Sequence, residues 1–177
     1  MKNKAVFLDR DGTINVDKEY VHRIEDLEII PKVVEGLKKL WVKYNLIIIT
    51  NQSGIARKFH TEEDYLKFRE IIHKRLMYGG VYITAEYFCP HITEDNCGCR
   101  KPKTGMLEQA AKDFNLRLND CWMIGDRTID ILAGMNSFCK TIHILTGAEK
   151  KTPVYANFFA KDMVEAADII LPENKNK

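Results

Sequence analysis

Residues 5–13, AVFLDRDGT, set two carboxylates two positions apart at the end of a continuous apolar run. Ala5, Val6, Phe7 and Leu8 read as a strand covered on both faces. Gly12 lets the backbone turn tightly, and Thr13 is placed to hydrogen-bond back into that turn. Side chains two apart on a strand share a face, so Asp9 and Asp11 can converge on one point. Two adjacent carboxylates either share a proton or bind a cation. Here they can divide labour, Asp9 attacking phosphorus and Asp11 handling the proton. A bare D-x-D-G is also a common Asx-rich turn after a core strand. The remaining motifs tip the reading toward chemistry.

LIIITNQSG ends a second apolar run in polar and small residues. Thr50, Asn51 and Ser53 offer neutral donors, and Gly54 allows close backbone approach, which is what phosphoryl oxygens need. Arg100-Lys101-Pro102 supplies two cations, and Lys101 can neutralise an attacking carboxylate and a phosphate together. CWMIGDRTID delivers Asp126 after a third strand, with Asp130 four residues on. Asp9, Asp126 and the Asp11 backbone carbonyl, completed by phosphate and water, form a hard-oxygen set suited to Mg²⁺. Asp130 reads as a residue that orients the ligands rather than as a ligand. Taken singly, each of these stretches is also a polar turn or surface charge.

Cys89, His91, Cys97 and Cys99 fall within eleven residues, 89–99. Three thiolates and an imidazole make a closed tetrahedral set for structural Zn²⁺. The loop runs directly into Arg100-Lys101, so its rigidity would position both cations. Cys121 and Cys139 read as core thiols.

These groups need a scaffold that gathers strand ends. Strand-like runs occur at 5–8, 46–50, 85–88, 121–124, 141–145 and 168–171. Helical patterns lie between most of them, at 31–44, 61–78, 105–114 and 128–135, the second with Thr61 as N-cap and Asp64 three residues on. Alternating strands and helices imply a Rossmann-like three-layer α/β/α fold with a mostly parallel sheet. In such sheets ligands sit beyond the carboxyl ends of the strands, which puts Asp9, Thr50, Lys101 and Asp126 on one rim. The 177 residues suit one domain, expected over 1–172 with a flexible tail at 173–177. Lys plus Arg number 27 against 25 Asp plus Glu, a net +2, which leaves no electrostatic footprint for nucleic acid or an anionic membrane. No apolar run approaches the roughly 20 residues of a spanning helix, and the first residues do not pattern as a signal peptide. A cytoplasmic monomer with reduced cysteines is the expectation.

The order DRDGT, IIITNQSG, CRKP and IGDRTID resembles the haloacid-dehalogenase-like phosphohydrolase superfamily. That resemblance implies an aspartyl-phosphate mechanism with Asp9 as nucleophile and Asp11 as acid/base. It also implies Thr50 and Lys101 on the phosphoryl oxygens, and Asp126 on Mg²⁺. The C-P-H…C-x-C-R-K-P loop narrows it: within the superfamily the chain is similar to the D,D-heptose 1,7-bisphosphate phosphatases and the related histidinol-phosphate phosphatases. FLDRDGTINVDKEYVHRIEDLEII and TNQSGIAR resemble the heptose enzymes more, and the similarity spans roughly residues 5–147. It implies a pocket lined by Asp17, Lys18, Glu19 and Tyr20, by Thr50, Asn51, Gln52 and Ser53, and by Arg100 and Arg127. The family often has Lys where this chain has Arg127, and residues 147–161 depart from its usual link to the final strand. No large cap insertion is evident, so loops 14–29, 54–60 and 89–99 are expected to shape specificity. The implied reaction is removal of the 7-phosphate of a D-glycero-D-manno-heptose 1,7-bisphosphate. Arg57 and Arg100 are placed to reach the second phosphate. Histidinol-phosphate hydrolysis, or a zinc-stabilised binding module without catalysis, is the alternative.

Overall fold

The computed structural model describes residues 2–149 and 155–172. Six strands alternate with five α-helices: β1 (Ala5–Leu8), α1 (Val33–Trp41), β2 (Asn45–Asn51), α2 (Glu62–Tyr78), β3 (Ala85–Cys89), α3 (Gly105–Asp113), β4 (Trp122–Gly125), α4 (Thr128–Asn136), β5 (Lys140–Ile144), β6 (Phe158–Ala160) and α5 (Met163–Ile170). The strands form one sheet in the order β3-β2-β1-β4-β5-β6, and every neighbouring pair is parallel. This is the Rossmann-like α/β/α architecture the alternation predicts.

Strand periodicity sends alternate residues to opposite layers. From β1, Val6 and Leu8 enter a core shared with α1, α2 and α5, while Ala5 and Phe7 enter a second core with α3 and α4. All four are fully buried, which explains why β1 reads as an uninterrupted apolar run. The helices start where the residues allow. Thr61 and Asp64 form a capping box on α2: the Asp64 amide donates to Thr61 Oγ1 (3.1 Å) and the Thr61 amide to Asp64 Oδ2 (2.9 Å).

One element differs in kind. Residues 168–171 lie in and just after helix α5, not in a strand. Asp162 caps that helix by accepting from the Glu165 amide (3.0 Å), and Met163, Ala166, Ala167 and Ile170 bury one stripe of it. That spacing is helical, and the short apolar run at 169–171 masked it. The sixth strand comes instead from Phe158–Ala160, inside the segment that departs from the family pattern. The tail at 173–177 lies outside the described residues.

The carboxyl ends of β1, β2 and β4 meet in the middle of the sheet. Connections leave β1 toward β2 on one side, while β4 lies on the other. This is the switch point at which such sheets bind ligands.

Candidate active site

A cleft of about 370 Å³ opens at this switch point, lined by Asp9, Asp11, Asp17, Glu19, Tyr20, Thr50, Asn51, Gln52, Ser53, Arg57, Arg100, Lys101, Arg127 and Ile129. Asp126 lies fully buried beneath it. The backbone leaves β1 through a turn in which the amides of Thr13, Ile14 and Asn15 all donate to the Arg10 carbonyl. Gly12 adopts φ +86°, and a Cβ there would lie 2.4 Å from Asp126 Oδ2. Only glycine serves both the turn and the approach. The Thr13 hydroxyl, expected to bond back into the turn, has no partner among the described residues; its amide makes that contact.

Lys101 joins the strand ends. Its buried Nζ donates to Asp9 Oδ1 (2.6 Å) and the Ile49 carbonyl (2.7 Å), and ion-pairs with Asp130 Oδ1 (2.7 Å). Asn51 fixes the Lys101 backbone from both sides, accepting from its amide (3.0 Å) and donating to its carbonyl (3.2 Å). Gln52 donates to Thr50 Oγ1 (2.8 Å), which leaves the threonine hydroxyl hydrogen available to another acceptor. Asp11 accepts from Arg10, from Asn15 (2.9 Å) and from Gln52 (3.0 Å).

The electrostatics follow from this packing. Burial pushes the Asp9 carboxyl well above the usual carboxylate range, and Asp130 and Asp126 push the same way against Lys101. Burial, followed by Asp130, raises Asp126 to about 6. Asp11 goes the other way: burial raises it, but the Arg10 charge and the hydrogen bonds from Arg10, Asn15 and Gln52 prevail and hold it low. Lys101 is likewise desolvated, but its two carboxylate partners keep it above its ordinary value.

Asp9, Asp126 and Asp130 bring ligand oxygens within 4.8 Å of one another. Three carboxylates gather around one lysine, and Asp126 Oδ1 is buried without a hydrogen-bond partner among the described residues. An oxygen-lined, net-negative site with an orphaned carboxylate oxygen fits Mg²⁺. Asp130 is already engaged, pairing Lys101 and accepting from the Arg127 amide (3.1 Å). Residues 146–149 strap the site from above. Thr146 Oγ1 donates to the Gly12 carbonyl and the Ala148 amide to Asp126 Oδ2 (both 2.7 Å), while Glu149 accepts from the Thr128 amide (2.9 Å). A Cβ on Gly147 would lie 1.9 Å from Asp126 Oδ2.

At the rim, Arg127 pairs with Asp17 (2.6 Å) and Arg100 donates to the His91 carbonyl (3.0 Å). Arg57 lines the cleft and makes no ion pair among the described residues. Of the sequence-derived pocket residues, Lys18 is not brought there: it sits 3.5 Å from Glu28 and half in solvent. The Glu19 amide donates to Asp17 Oδ1 in an Asx turn, and Glu19 and Tyr20 take left-handed backbone. That turn aims Asp17, Glu19 and Tyr20 inward. Arg10 and Ile129 are the site residues that sequence reasoning missed; only their places inside the DRDGT and GDRTID motifs could have flagged them.

Beside the cleft, Cys99 Sγ lies 3.1 Å from Cys89 Sγ, 3.5 Å from Cys97 Sγ and 3.3 Å from His91 Nδ1, and Cys89 lies 3.6 Å from Cys97. These separations are close to the edges of a tetrahedron with ~2.3 Å metal–sulfur bonds. The donor set fits zinc.

Comparison with known proteins agrees with this geometry. The HAD-hydrolase-like family model matches residues 98–169. A D-glycero-beta-D-manno-heptose-1,7-bisphosphate 7-phosphatase of Helicobacter pylori is 42% identical over 170 residues, covering 95% of this chain and 98% of that protein. A D-glycero-alpha-D-manno-heptose-1,7-bisphosphate 7-phosphatase of Campylobacter jejuni is 43% identical over 152 residues, covering 85% and 87%. Among solved structures, a D,D-heptose 1,7-bisphosphate phosphatase from B. bronchiseptica, complexed with magnesium and phosphate, superposes with a TM-score of 0.88 at 27% identity, covering 95% of this chain and 98% of that one.

Proposed function

The chain belongs to the D-glycero-D-manno-heptose-1,7-bisphosphate 7-phosphatase family of haloacid-dehalogenase-like hydrolases, and from that membership we propose how its own residues perform the reaction. It is a phosphoric monoester hydrolase that removes the 7-phosphate of a heptose 1,7-bisphosphate, using Mg²⁺. The observation that carries the reading is Asp9 at the switch point, 2.6 Å from a buried Lys101 and beside Asp126, with Asp11 facing the same cleft.

An oxygen of the Asp9 carboxylate attacks phosphorus, and the bond to the sugar oxygen breaks. Asp11 gives that oxygen a proton, so a neutral alcohol leaves. A water then loses its proton to Asp11 and attacks the phosphoaspartate, releasing phosphate and restoring the Asp9 carboxylate and the protonated Asp11. Lys101 opposes the protonation of Asp9 that burial and the neighbouring carboxylates favour, and the Thr50 hydroxyl donates to a phosphoryl oxygen. Asp11 is held low in the free site by Arg10; the dianionic phosphoryl group entering beside it raises its proton affinity for the first step. Asp9, Asp126 and the Asp11 carbonyl would hold Mg²⁺, which would supply positive charge to offset that of the phosphoryl group. Cys89, His91, Cys97 and Cys99 would hold Zn²⁺, which would stiffen the loop that presents Arg100 and Lys101. A reducing, cytoplasmic setting would keep Cys89, Cys97 and Cys99 as thiols able to hold a metal.

Asp9→Asn tests the chemistry. An amide is a poor nucleophile, so turnover of the heptose bisphosphate should disappear while the circular dichroism spectrum stays unchanged. A folded variant that still releases phosphate at an appreciable rate overturns the assignment.

A further inference from the structure

Arg10, the residue between the two catalytic aspartates, is a fully buried side chain with no exposed surface, and its charge is spent almost wholly on Asp11. Its Nη2 donates to Asp11 Oδ2 (2.8 Å) and Oδ1 (3.0 Å), and its Nε also donates to Oδ1 (3.1 Å). The guanidinium lies over two rings of α2, 5.1 Å from the Phe68 centroid and 5.6 Å from that of Tyr65. Its remaining contacts are the Val21 carbonyl (3.2 Å) and Gln52 Oε1 (3.3 Å), and Nη1 has no partner among the described residues. Burying a guanidinium, with one nitrogen unsatisfied, costs stability that a surface arginine would not. A fold that wanted only a filled core would place an apolar residue there.

We propose that Arg10 is a positioning residue that clamps the Asp11 carboxylate in the orientation from which it passes protons to and from the phosphoryl site. The inference rests on the acid/base reading of Asp11 given above. Two features of the clamp are specific to arginine. Its planar fork grips both carboxylate oxygens, so it fixes the plane of the group as well as its position. Its guanidinium lies over the Tyr65 and Phe68 rings, so helix α2 holds the fork in place. Tyr65 is itself tied down: its hydroxyl donates to Glu86 (2.5 Å), a side chain with no exposed surface that also pairs with His73 (2.7 Å). Glu86 adds negative charge that favours the guanidinium. The clamp therefore runs from Asp11 through Arg10 to helix α2 and the edge strand β3.

A misaimed acid hurts most where the departing oxygen needs a proton most. Phenyl phosphate and p-nitrophenyl phosphate are close in shape but differ in that need, so kcat/KM on the two, measured with Mg²⁺ on the full chain, separates aim from fold. Arg10→Lys keeps a cation but loses the fork. It should lower kcat/KM on phenyl phosphate at least about tenfold, within the ~10²–10⁴ range of acid–base catalysis, and on p-nitrophenyl phosphate by less than about threefold. Inhibition by inorganic phosphate should stay within about twofold of the parent, showing the pocket intact. Asp11→Asn should show the same bias, more strongly. Phe68→Leu, which removes one ring face and leaves every polar group, should show it more weakly, and it decides the matter if Arg10→Lys does not fold. Equal losses on both esters, or none, overturn the positioning role. If Asp11→Asn itself shows no bias, the acid/base reading has failed, and the role of Arg10 falls with it.

Discussion

At the scale of single residues, the site is an exercise in tolerating like charge. Asp9, Asp126 and Asp130 crowd together with Lys101 as the one cation between them, and burial denies them water. Asp126 is raised to about 6, which means that without a metal the folded protein binds protons there more tightly than the unfolded chain does. The sign follows from linkage: between the unfolded carboxylate range and about 6, rising pH costs the metal-free fold stability. A divalent cation reverses that penalty, because it binds only the deprotonated carboxylates and neutralises them. The shift in Tm produced by saturating Mg²⁺ should therefore be several degrees at pH 8, where excess ligand at ~100 Kd adds about 2.7 kcal/mol. It should shrink toward zero at pH 5. Thermal melts with and without Mg²⁺ across that range check it, and a shift of the same size at both ends would contradict the assignment of Asp126 to the metal.

Elements hold these residues to tenths of an ångström, and here the zinc loop matters most. Residues 89–99 leave the end of edge strand β3 and lead into Arg100 and Lys101, so any slack in the loop reaches the lysine that holds Asp9. Cys97→Ser removes one of three thiolates, and so one ligand of four. Elemental analysis should fall from about one zinc per chain to well under half, on the tetrahedral-site reading. Activity should drop some tenfold or more through a misplaced Lys101, in the range seen when groups supporting a metal site are altered. Full zinc occupancy in that variant would break the four-ligand assignment. The cluster was legible in the sequence because all four donors lie on one short stretch. The strands β1, β2 and β4 were legible for a similar reason: each is a local apolar run ended by polar residues. Helix α5 was not, because Ile169 to Leu171 is apolar whichever element it forms. What decides it is the Asp162 cap and a partner helix distant in sequence: a Cβ on Gly36 of α1 would lie 2.3 Å from the Met163 carbonyl oxygen. Arg10 stayed invisible likewise. Its neighbours in sequence announce chemistry, but the rings that hold it, Tyr65 and Phe68, come from another element. In the strap at 146–149, Thr146 bonds Gly12, 134 positions away, and no local pattern reports that.

Over the whole molecule the charges nearly cancel, at net +2, yet three arginines gather at one cleft. Two of them are engaged: Arg127 with Asp17 and Arg100 with the His91 carbonyl. Recruiting either for a ligand means breaking a contact first. Arg57 makes no ion pair among the described residues, so it meets an incoming anion at the least cost. A heptose bisphosphate in the cleft presents one phosphate to Asp9 and leaves the other to the rim. The bisphosphate should then exceed the heptose 7-phosphate by at least about tenfold in kcat/KM, equivalent to roughly 1.4 kcal/mol of transition-state binding. Arg57→Ala should erase most of that preference and leave p-nitrophenyl phosphate hydrolysis close to the parent, since that ester has no second phosphate to lose. Steady-state kinetics on the three substrates measures both effects. A preference that survives Arg57→Ala intact would move the second phosphate to Arg100 and Arg127, and with it the cost of parting Arg127 from Asp17 into the binding step.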